Sequence, residues 1–411
     1  MSKSVVKFNL SKVEGTVRLP GSKSLSNRAL IIEAIANQGK FIKNISKAND
    51  SQLMQELLGS QDAKLDCEMA GTTLRFLMAH FASKPNKEIT LTGSDRLKVR
   101  PVKALVDALV DLGAEIEYAG NPGFPPVKII GQQLEGGSVN ITGKISSQFI
   151  TALAIIAPNF KKGLTINIEG ELVSAPYLHM TIDLMKHFNA DVELKGNQLI
   201  VKNKIYIMKP YMVEADWSAA SYWYSLLALS NEGNLKLKNL REESKQGDAE
   251  CAKLFQDFGI KTSALSNDIL IERDASLETN KEVNLDLLPY PDLAPTIAVV
   301  VAAQKRKAKL TGLQTLQLKE SERLTAIKNE LEKFNVSVKI EDRKTLIIDG
   351  SGFTAKPDVV IDTYNDHRLA MAFAPLVAKC ESITIESPEV VDKSYPNYWS
   401  ELKKIEGITL S

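Results

Sequence analysis

The sequence predicts a pseudo-symmetric α/β protein of six units, each with a buried helix, an amphipathic helix and several short strands. The first observation behind this prediction is a pattern that occurs six times: a mostly apolar helix, a polar turn and a short strand. The copies are ALIIEAIANQGKFIKNI, LRFLMAHFASKPNKEITLTG, FITALAIIAPNFKKGLTINIEG, YWYSLLALSNEGNLKLKNL, TIAVVVAAQKRKAKLTGL and LAMAFAPLVAKCESITIES. Because a helix that is apolar all round is normally buried, we expect these helices to pack together inside the strands.

The second observation is an amphipathic helix that ends at Gly or Asn and continues as a strand. Its clearest copies end at Gly113, Asn189, Gly259 and Asn335, about 70 to 76 positions apart. LMQELLGSQDAKLD and YWSELKKIEGITL are weaker copies at the two ends of the series. The alternative explanation is that α/β proteins without repeats also alternate helices and strands. The regular spacing of the four stop residues favours repetition.

Composition excludes several classes of protein. The 411 residues are 44% hydrophobic and 25% charged, which suits two or three globular domains. The 51 basic and 50 acidic residues nearly cancel, so no global field would attract nucleic acid or a membrane surface. Three scattered cysteines argue against a disulfide framework. The N-terminus MSKSVVKFNL lacks the apolar core of a signal peptide, and no segment approaches about 18 uninterrupted apolar residues. We therefore expect a cytoplasmic protein.

Cations stand at the starts of the apolar helices, where capping does not explain them. These starts read PGSKSLSNR, EMAGTTLR, KISSQF, EADWSAAS, PYPDLAPT and YNDHRLAM. Ser, Thr, Asn and Asp are ordinary N-caps, but Lys23, Arg28, Arg75 and Arg368 oppose the helix dipole,. We expect phosphate or carboxylate groups there. The amphipathic helices add further candidates at their starts: Arg100, Ser174, Tyr177, Lys319, Arg323 and Lys393.

Each signal also has an ordinary structural explanation. GSKS lacks the spacing of a nucleotide-binding loop,. The four histidines share no metal-ligand spacing,, and LKESERL is typical of a solvated helix face. Asp292 alone is typical of an N-cap; the functional alternatives are a general base at Asp292 and a proton donor at Glu320.

Eleven motifs taken together resemble the 5-enolpyruvylshikimate-3-phosphate (EPSP) synthase family, in the same order and across essentially the whole chain. They are LPGSKSLSNRAL, AGTTLRFL, LKVRPVKALVDAL, ISSQFITAL, SAPYLHMT, VEADWSAASYW, QGD, PDLAPTIA, KESERL, NDHRLAMAFA and DKSYPNYW. The resemblance implies a two-domain inside-out α/β barrel of six βαβαββ units. It implies one domain from residues 1–19 and 216–411, a second from 20–215, hinges near 19–22 and 213–217, and an active site in the interdomain cleft.

The resemblance also implies an activity. Members of this family transfer the enolpyruvyl group of phosphoenolpyruvate to the 5-hydroxyl of shikimate 3-phosphate and release phosphate, a step towards chorismate and the aromatic amino acids. The implied enzyme is a monomer that closes around its two small-molecule substrates. No metal, nucleotide or redox cofactor is implied.

The resemblance assigns roles to individual residues. Asp292 is implied as general base, Glu320 as proton donor and Lys23 as a third catalytic group. The implied shikimate 3-phosphate contacts are Lys23, Ser24, Arg28, Ser146, Ser147, Gln148, Ser174, Tyr177, Asp292, Thr315 and Lys319. The implied phosphoenolpyruvate contacts are Lys23, Gly71, Arg100, Gln148, Arg323, Arg368 and Lys393. Asp366 and Glu214 are expected to support them. Met69 and Thr315 stand where many relatives carry Asn.

Two other functions stay open at this point. The first is enolpyruvyl transfer to UDP-N-acetylglucosamine, whose enzymes typically carry a Cys, or Asp in some members, shortly before the Arg-Pro that is Arg100-Pro101 here; TGSDRLKVRP has no Cys. The second is a ligand-binding relative without catalysis. It predicts damage at Asp292, Glu320 or Lys23, and all three are present.

Overall fold

The computed structural model describes residues 2–8, 12–144, 146–279 and 282–411. The strands in these ranges are short, and most of them alternate buried and exposed residues, as expected for sheets with one face on a core. In chain order they are β1 (Lys3–Phe8), β2 (Lys12–Arg18), β3 (Ile42–Lys43), β4 (Lys64–Asp66), β5 (Glu88–Thr92), β6 (Glu115–Tyr118), β7 (Val127–Ile130), β8 (Gly137–Thr142), β9 (Leu164–Glu169), β10 (Val192–Lys195), β11 (Gln198–Val201), β12 (Tyr211–Met212), β13 (Glu232–Lys238), β14 (Ile260–Leu265), β15 (Asp268–Arg273), β16 (Val283–Asp286), β17 (Lys307–Thr311), β18 (Ser337–Glu341), β19 (Thr345–Asp349), β20 (Val359–Ile361), β21 (Ser382–Glu386) and β22 (Ile408–Leu410).

The α-helices fall into the two predicted kinds, those buried all round and those with one exposed face. In chain order they are α1 (Lys23–Ala36), α2 (Asn49–Gly59), α3 (Gly71–Ala82), α4 (Asp95–Lys98), α5 (Lys103–Asp111), α6 (Ser147–Ile156), α7 (Ala175–His187), α8 (Trp217–Leu229), α9 (Cys251–Leu254), α10 (Ala294–Ala303), α11 (Arg323–Glu332), α12 (His367–Phe373), α13 (Val377–Cys380) and α14 (Tyr398–Leu402). Every residue of α10 is buried, and so is nearly every residue of α6 and α8. In the described part of the chain, no helix is long and apolar enough to cross a membrane.

Among the described residues, five four-stranded sheets share one strand order, with one parallel pair at the edge and antiparallel pairs beside it, which confirms the predicted repetition. In the clearest example α6 joins β8 to the parallel strand β9, α7 follows, and the hairpin of β10 and β11 completes the sheet. The sheet orders are β10-β11-β9-β8, β6-β7-β5-β4, β14-β15-β13-β2, β18-β19-β17-β16 and β22-β1-β21-β20. Two of these sheets take a strand, β1 or β2, from the N-terminal end of the chain.

The sixth unit is reduced. In the described part of the chain its sheet contains only β12 and β3, which pair in parallel. The strand that follows α2 is β4, and β4 pairs with β5 in the next sheet, so this unit has no closing hairpin among the described residues. The weak sequence copy LMQELLGSQDAKLD corresponds to this reduced unit: α2 ends at Ser60 in an extended conformation, without a left-handed stop.

The predicted helix stops adopt the left-handed backbone conformation that ends a helix. The φ angles are 96° at Gly113, 75° at Asn189, 81° at Gly259 and 63° at Asn335. Glycine has no Cβ to clash there, and asparagine tolerates the conformation better than most residues. These four positions confirm the predicted period of the amphipathic helices.

The chain divides into two compact units, one of Met1–Gly21 with Glu214–Ser411 and one of Ser22–Val213. Each has its own apolar core. In the first unit the core surrounds α8, α10 and α12; in the second it surrounds α1, α3 and α6. Within the first unit the segments beside the two chain crossings lie together, because Gly21 and Ala215 form a β-bridge and the Asp216 N–H donates to the Pro20 carbonyl at 2.9 Å.

Candidate functional site

Charged side chains collect at helix starts in both units, as the sequence predicts. In the first unit they form the Arg323 cluster, which consists of Asp292, Lys319, Glu320, Arg323, Asp366, Arg368 and Lys393. In the second unit the helix starts and the residues that they contact form a set that we call the Lys23 group, which consists of Lys23, Arg28, Asp50, Gly71, Arg75, Arg100, Gln148 and Thr181. The two sets are described separately.

Arg323 lies at the centre of its cluster and donates to three carboxylates. Its Nη1 is 2.8 Å from Asp292 Oδ1, its Nη2 is 2.8 Å from Glu320 Oε2, and its Nε is 2.7 Å from Asp366 Oδ2. Only 1% of the Arg323 side chain is exposed. Burial alone would lower the pKa of Arg323, but the three carboxylates outweigh it and raise the pKa,. The guanidinium is therefore a permanent cation that holds three acids in fixed positions.

Three cations surround Asp292. Besides Arg323, Arg368 Nη2 donates to Asp292 Oδ2 at 2.9 Å, and Lys319 Nζ lies 3.3 Å from Oδ1. Burial would raise the pKa of Asp292, but the charges of Arg368, Lys319 and Arg323 together hold it well below its ordinary value,. Asp292 is thus ionised at neutral pH, with both carboxylate oxygens engaged by cations.

Lys319 and Glu320 complete the side of the cluster that precedes α11. Burial lowers the pKa of Lys319 by more than the nearby Asp292 raises it,. Glu320 Oε1 lies 3.9 Å from Lys393 Nζ, while its other oxygen accepts from Arg323. The cluster therefore combines four cations with three carboxylates, and an anionic ligand would compete directly with those carboxylates for the cations.

Arg368 also contacts the start of α8. Its Nη1 lies 3.4 Å from the Tyr222 hydroxyl and its Nη2 lies 3.5 Å from Ser218 Oγ. Ser218 Oγ in turn donates to Asp248, in the QGD motif. Burial raises the pKa of Tyr222 to about 12, so its hydroxyl stays protonated,. Ser218 and Tyr222 carry no signal in the sequence beyond their spacing of four residues, which places both on the face of α8 that contacts Arg368.

In the second unit Lys23 begins α1 and pairs with an acid on the next helix. Its Nζ donates to Asp50 Oδ2 at 2.9 Å, and both side chains are largely buried. Ser22 caps α1 by accepting from the Leu25 N–H, so the ordinary N-cap is present beside the lysine,. Asp50 lies in the first turn of α2, and the sequence contains no spacing signal that would have linked it to Lys23.

Arg28 lies one turn further along α1 and is only 2% exposed. Its Nε donates to Thr181 Oγ1 at 2.7 Å, its Nη1 donates to the Ser24 carbonyl at 2.9 Å, and its Cζ lies 5.5 Å from the centre of the Phe76 ring. Burial lowers the pKa of Arg28 to about 10, which leaves the guanidinium charged at neutral pH. No described carboxylate pairs with it among these contacts, which suits a ligand anion.

Two further contacts order the starts of α3 and α6. Arg75 Nη1 donates to Gln148 Oε1 at 2.7 Å, and the Gln148 N–H is capped by Ser146 Oγ at 3.2 Å. The Arg100 guanidinium lies against the backbone of Gly71, so that a Cβ added at Gly71 would be 2.7 Å from Arg100 Nη1. A residue without a side chain is thus needed for this approach.

The remaining predicted residues take the following places. Ser147 is buried in the first turn of α6. Ser174 precedes α7 in a left-handed conformation with φ of 58°, and the half-buried Tyr177 follows in the first turn. Thr315 is 8% exposed, and its Oγ1 has no hydrogen-bond partner among the described residues. A ligand hydroxyl or phosphate there would satisfy this buried group.

Glu214 binds the segment that leads into α8. Its carboxylate accepts from Trp217 Nε1 at 3.1 Å, from the Arg241 N–H at 3.0 Å and from Ser244 Oγ at 2.8 Å. These bonds hold the segment that enters α8 and do not reach the Arg323 cluster. Asp366, in contrast, accepts from Arg323. Within the described ranges, no three His, Cys, Asp or Glu side chains are grouped so as to hold a metal ion.

Comparison with known proteins identifies the family. A sequence model described as EPSP synthase (3-phosphoshikimate 1-carboxyvinyltransferase) matches residues 9–61 and 55–402. The chain belongs to the EPSP synthase family. It is 40% identical over 395 residues to a 3-phosphoshikimate 1-carboxyvinyltransferase of Bacteroides fragilis strain YCH46, with 96% of each chain covered. It is 35% identical over 427 residues to the protein of the same name from Histophilus somni strain 2336, with 96% of this chain and 97% of that one covered.

The solved structures of this family share the fold. An EPSP synthase from Acinetobacter baumannii superposes with a TM-score of 0.77 over 100% of both chains at 20% sequence identity. A second structure of an EPSP synthase from the same organism has the same TM-score at 19% identity. The two-domain, six-unit α/β fold expected from the sequence is therefore the fold of this family.

Proposed function

We propose that this chain is a 3-phosphoshikimate 1-carboxyvinyltransferase of aromatic amino acid and chorismate biosynthesis. It transfers the enolpyruvyl group of phosphoenolpyruvate to the 5-hydroxyl of shikimate 3-phosphate and releases phosphate. Family membership over nearly the whole chain supports this activity. Within the structure, the observation that carries it is Asp292, an ionised carboxylate held by Arg323, Arg368 and Lys319.

The surroundings of Asp292 suggest how a substrate activates it. A carboxylate held by three cations is a weak base, because its negative charge is already compensated. Phosphate and carboxylate groups of the substrates compete for the same cations, and each cation that turns towards substrate raises the pKa of Asp292. We expect Asp292 to accept the proton of the 5-hydroxyl only when anionic substrate is bound, which confines its basicity to the complex.

The second proton transfer needs an acid beside the methylene carbon of phosphoenolpyruvate. We assign it to Glu320, which is anchored by Arg323 and has Lys393 nearby, and which must carry a proton in the substrate complex to act as this acid. The hydroxyl oxygen adds to C2 of phosphoenolpyruvate while the methylene carbon gains a proton, giving a tetrahedral intermediate. Loss of a methyl proton and of phosphate then forms the enolpyruvyl ether.

The binding roles are those that the family resemblance implies, and they are part of the same proposal. Arg323, Arg368 and Lys393, with Arg100 and Gly71 of the second unit, bind phosphoenolpyruvate. Shikimate 3-phosphate is bound by Ser24, Arg28, Ser146, Ser147, Ser174, Tyr177, Thr315 and Lys319, with Asp292 at its 5-hydroxyl. Lys23 and Gln148 contact both ligands. The proposal requires residues of both sets to engage the same pair of substrates.

We further propose that the enzyme works as a monomer in the cytoplasm. Cys67, Cys251 and Cys380 are free and buried, and unpaired thiols suit a reducing compartment. A sedimentation experiment at micromolar concentration should give the mass of one chain.

Phosphate release tests the proposed activity. Purified protein is incubated with phosphoenolpyruvate and either shikimate 3-phosphate or UDP-N-acetylglucosamine as acceptor. We expect release that depends on shikimate 3-phosphate and none above background with the nucleotide sugar. Phosphate release with UDP-N-acetylglucosamine alone would assign the chain enolpyruvyl transfer to that acceptor. Release with neither acceptor would support a ligand-binding relative without catalysis.

A further inference from the structure

A strained loop between β20 and α12 carries two members of the Arg323 cluster. Asp366 caps α12 and Arg368 lies in its first turn. Immediately before them, Tyr364 and Asn365 have φ angles of 51° and 55°. Consecutive left-handed conformations at residues other than glycine are unfavourable, by roughly 1 kcal/mol or more each. The contacts around this loop must therefore hold it in place.

The loop is held by Glu330, a fully buried residue on α11. The Tyr364 hydroxyl donates to Glu330 Oε1 at 3.0 Å, and the Asp362 N–H donates to Oε2 at 3.1 Å. Lys333 also donates to Oε2, and its Nζ reaches the Val360 carbonyl at 2.9 Å. One carboxylate thus binds the loop through both a side chain and the backbone.

The same helix holds the other end of the loop through Arg323. Arg323 and Glu330 are seven residues apart, or about two helical turns, so both project from one side of α11. Arg323 binds the Asp366 carboxylate, and Asp366 Oδ1 accepts from the Arg368 N–H at 3.0 Å. Helix α11 therefore binds the loop at Asp362 and at Asp366, on either side of the left-handed residues Tyr364 and Asn365.

Burying a carboxylate costs desolvation free energy, so packing alone does not explain an acid at position 330. Burial raises the pKa of Glu330, although Lys333 and Tyr364 partly offset this. An apolar side chain of similar size would fill the same space without the desolvation cost, but it would offer no acceptor to Tyr364 or to the Asp362 N–H. The hydrogen bonds to the loop account for an acid at this position.

We propose that Glu330 and Tyr364 are positioning residues, which fix the loop so that Arg368 and Asp366 hold Asp292 and Arg323 in place. The kinetic consequence rests on the proposed function, whereas the order of the loop does not. Neither residue touches substrate; each acts through Arg368 and Asp366.

The experiment compares Tyr364→Phe with Tyr224→Phe. Tyr224 is the control because it lies in the same unit and its hydroxyl bonds to Thr262 Oγ1 at 3.0 Å, away from the loop. It is more buried than the half-buried Tyr364, so the loss of its hydroxyl should cost at least as much stability. We expect Tyr364→Phe to raise the KM for phosphoenolpyruvate about fivefold, with the KM for shikimate 3-phosphate changed less than twofold. Glu330→Gln should have the larger effect, because its amide group places a donor where the loop needs an acceptor.

Hydrogen exchange gives a second readout that does not depend on turnover. We expect the amides of residues 362–368 to exchange at least tenfold faster in Tyr364→Phe than in the wild type, and at the wild-type rate in Tyr224→Phe. If residues 362–368 exchange in Tyr364→Phe at the same rate as in the wild type, the inference is overturned. This outcome can be measured even if Glu330→Gln fails to fold. Faster exchange with an unchanged KM for phosphoenolpyruvate would also overturn it, whereas a wild type without turnover would count against the proposed function only.

Discussion

Arg323 and Asp366 form a two-point ion pair in the interior of the first unit. Arg323 Nε lies 2.7 Å from Asp366 Oδ2, and Nη2 lies 3.2 Å from Asp366 Oδ1. The side chains are 1% and 0% exposed. Since the same guanidinium also holds Asp292 and Glu320, this pair fixes the orientation of the group on which the rest of the cluster depends.

Arg323→Lys should damage both stability and activity. A lysine has the charge, but its three donors lie on one nitrogen, so it cannot reach three carboxylates that Arg323 contacts through Nε, Nη1 and Nη2,, and a buried acid is left without its partner. We expect the free energy of unfolding to fall by about 3 kcal/mol and kcat/KM for phosphoenolpyruvate to fall at least a hundredfold. Urea unfolding and steady-state kinetics measure the two effects. An active variant of wild-type stability would show that the pair is dispensable.

The low pKa of Asp292 makes a prediction about stability at acid pH. Its pKa is depressed in the folded state and is about 3.9 when unfolded,. Its contribution to stability is therefore complete above that value and is lost as the pH falls further, because only the unfolded chain then takes up the proton. We expect the stability difference between wild type and Asp292→Asn to be constant from pH 5 to 8.

Below about pH 4 the stability of the wild type should fall more steeply than that of Asp292→Asn. Urea midpoints at half-unit pH intervals from 3 to 8 measure this difference. Parallel curves over the whole range would contradict the depressed pKa.

At pH 7 the Asp292→Asn variant should also have less than about one hundredth of the wild-type kcat, with smaller changes in KM.

Thr181→Val should weaken the site of the second unit. The substitution removes the acceptor of Arg28 Nε and leaves a buried guanidinium N–H without that partner. We expect a loss of about 1–3 kcal/mol in stability and a higher KM for shikimate 3-phosphate. Thr151→Val is the control, because Thr151 is equally buried and hydrogen-bonds to Thr181, while the Arg28 guanidinium hydrogen-bonds to Thr181 and Ser24. Equal KM values in the two variants would argue against a role for Arg28 in binding.

Gly71→Ala should affect binding without unfolding the protein. The new Cβ would displace the Arg100 guanidinium, which is the end of a flexible side chain, while alanine suits a helix start,. We expect stability within about 1 kcal/mol of the wild type and a KM for phosphoenolpyruvate raised roughly tenfold. Gly59→Ala provides the control, since no atom lies within 4 Å of its added Cβ. An unchanged KM for phosphoenolpyruvate in Gly71→Ala would show that the position of Arg100 does not matter for binding this substrate.

Much of this fold is predictable from the sequence, because the features that mark a helix end or a buried helix depend on residues that are close together in the chain. The stops at Gly113 and Asn335 are backbone requirements of the helix they end, so they are visible in sequence. The reduced sixth unit is not visible in this way. Its second strand, Tyr211–Met212, comes from about 170 residues beyond β3,, and only tertiary pairing brings the two together.

The same distinction applies to the site. Cations at helix starts are conspicuous because they oppose the helix dipole, and Lys23, Arg28 and Arg368 were predicted on that ground. Their partners are not conspicuous: Asp50 and Thr181 are ordinary residues for a helix, and their contacts with Lys23 and Arg28 span 27 and 153 positions. Such partners are found only when the helices are packed against each other.

The central claim is that the chain makes an enolpyruvyl ether. Protein is incubated with shikimate 3-phosphate and phosphoenolpyruvate labelled with carbon-13 at C3, and the reaction is followed by nuclear magnetic resonance. The account predicts that the signal of the labelled methylene carbon moves from phosphoenolpyruvate to a vinyl ether on the 5-oxygen, with one phosphate released for each ether formed. It also predicts that Asp292→Asn almost abolishes this change. Consumption of phosphoenolpyruvate without a vinyl ether, or full conversion by Asp292→Asn, would contradict it.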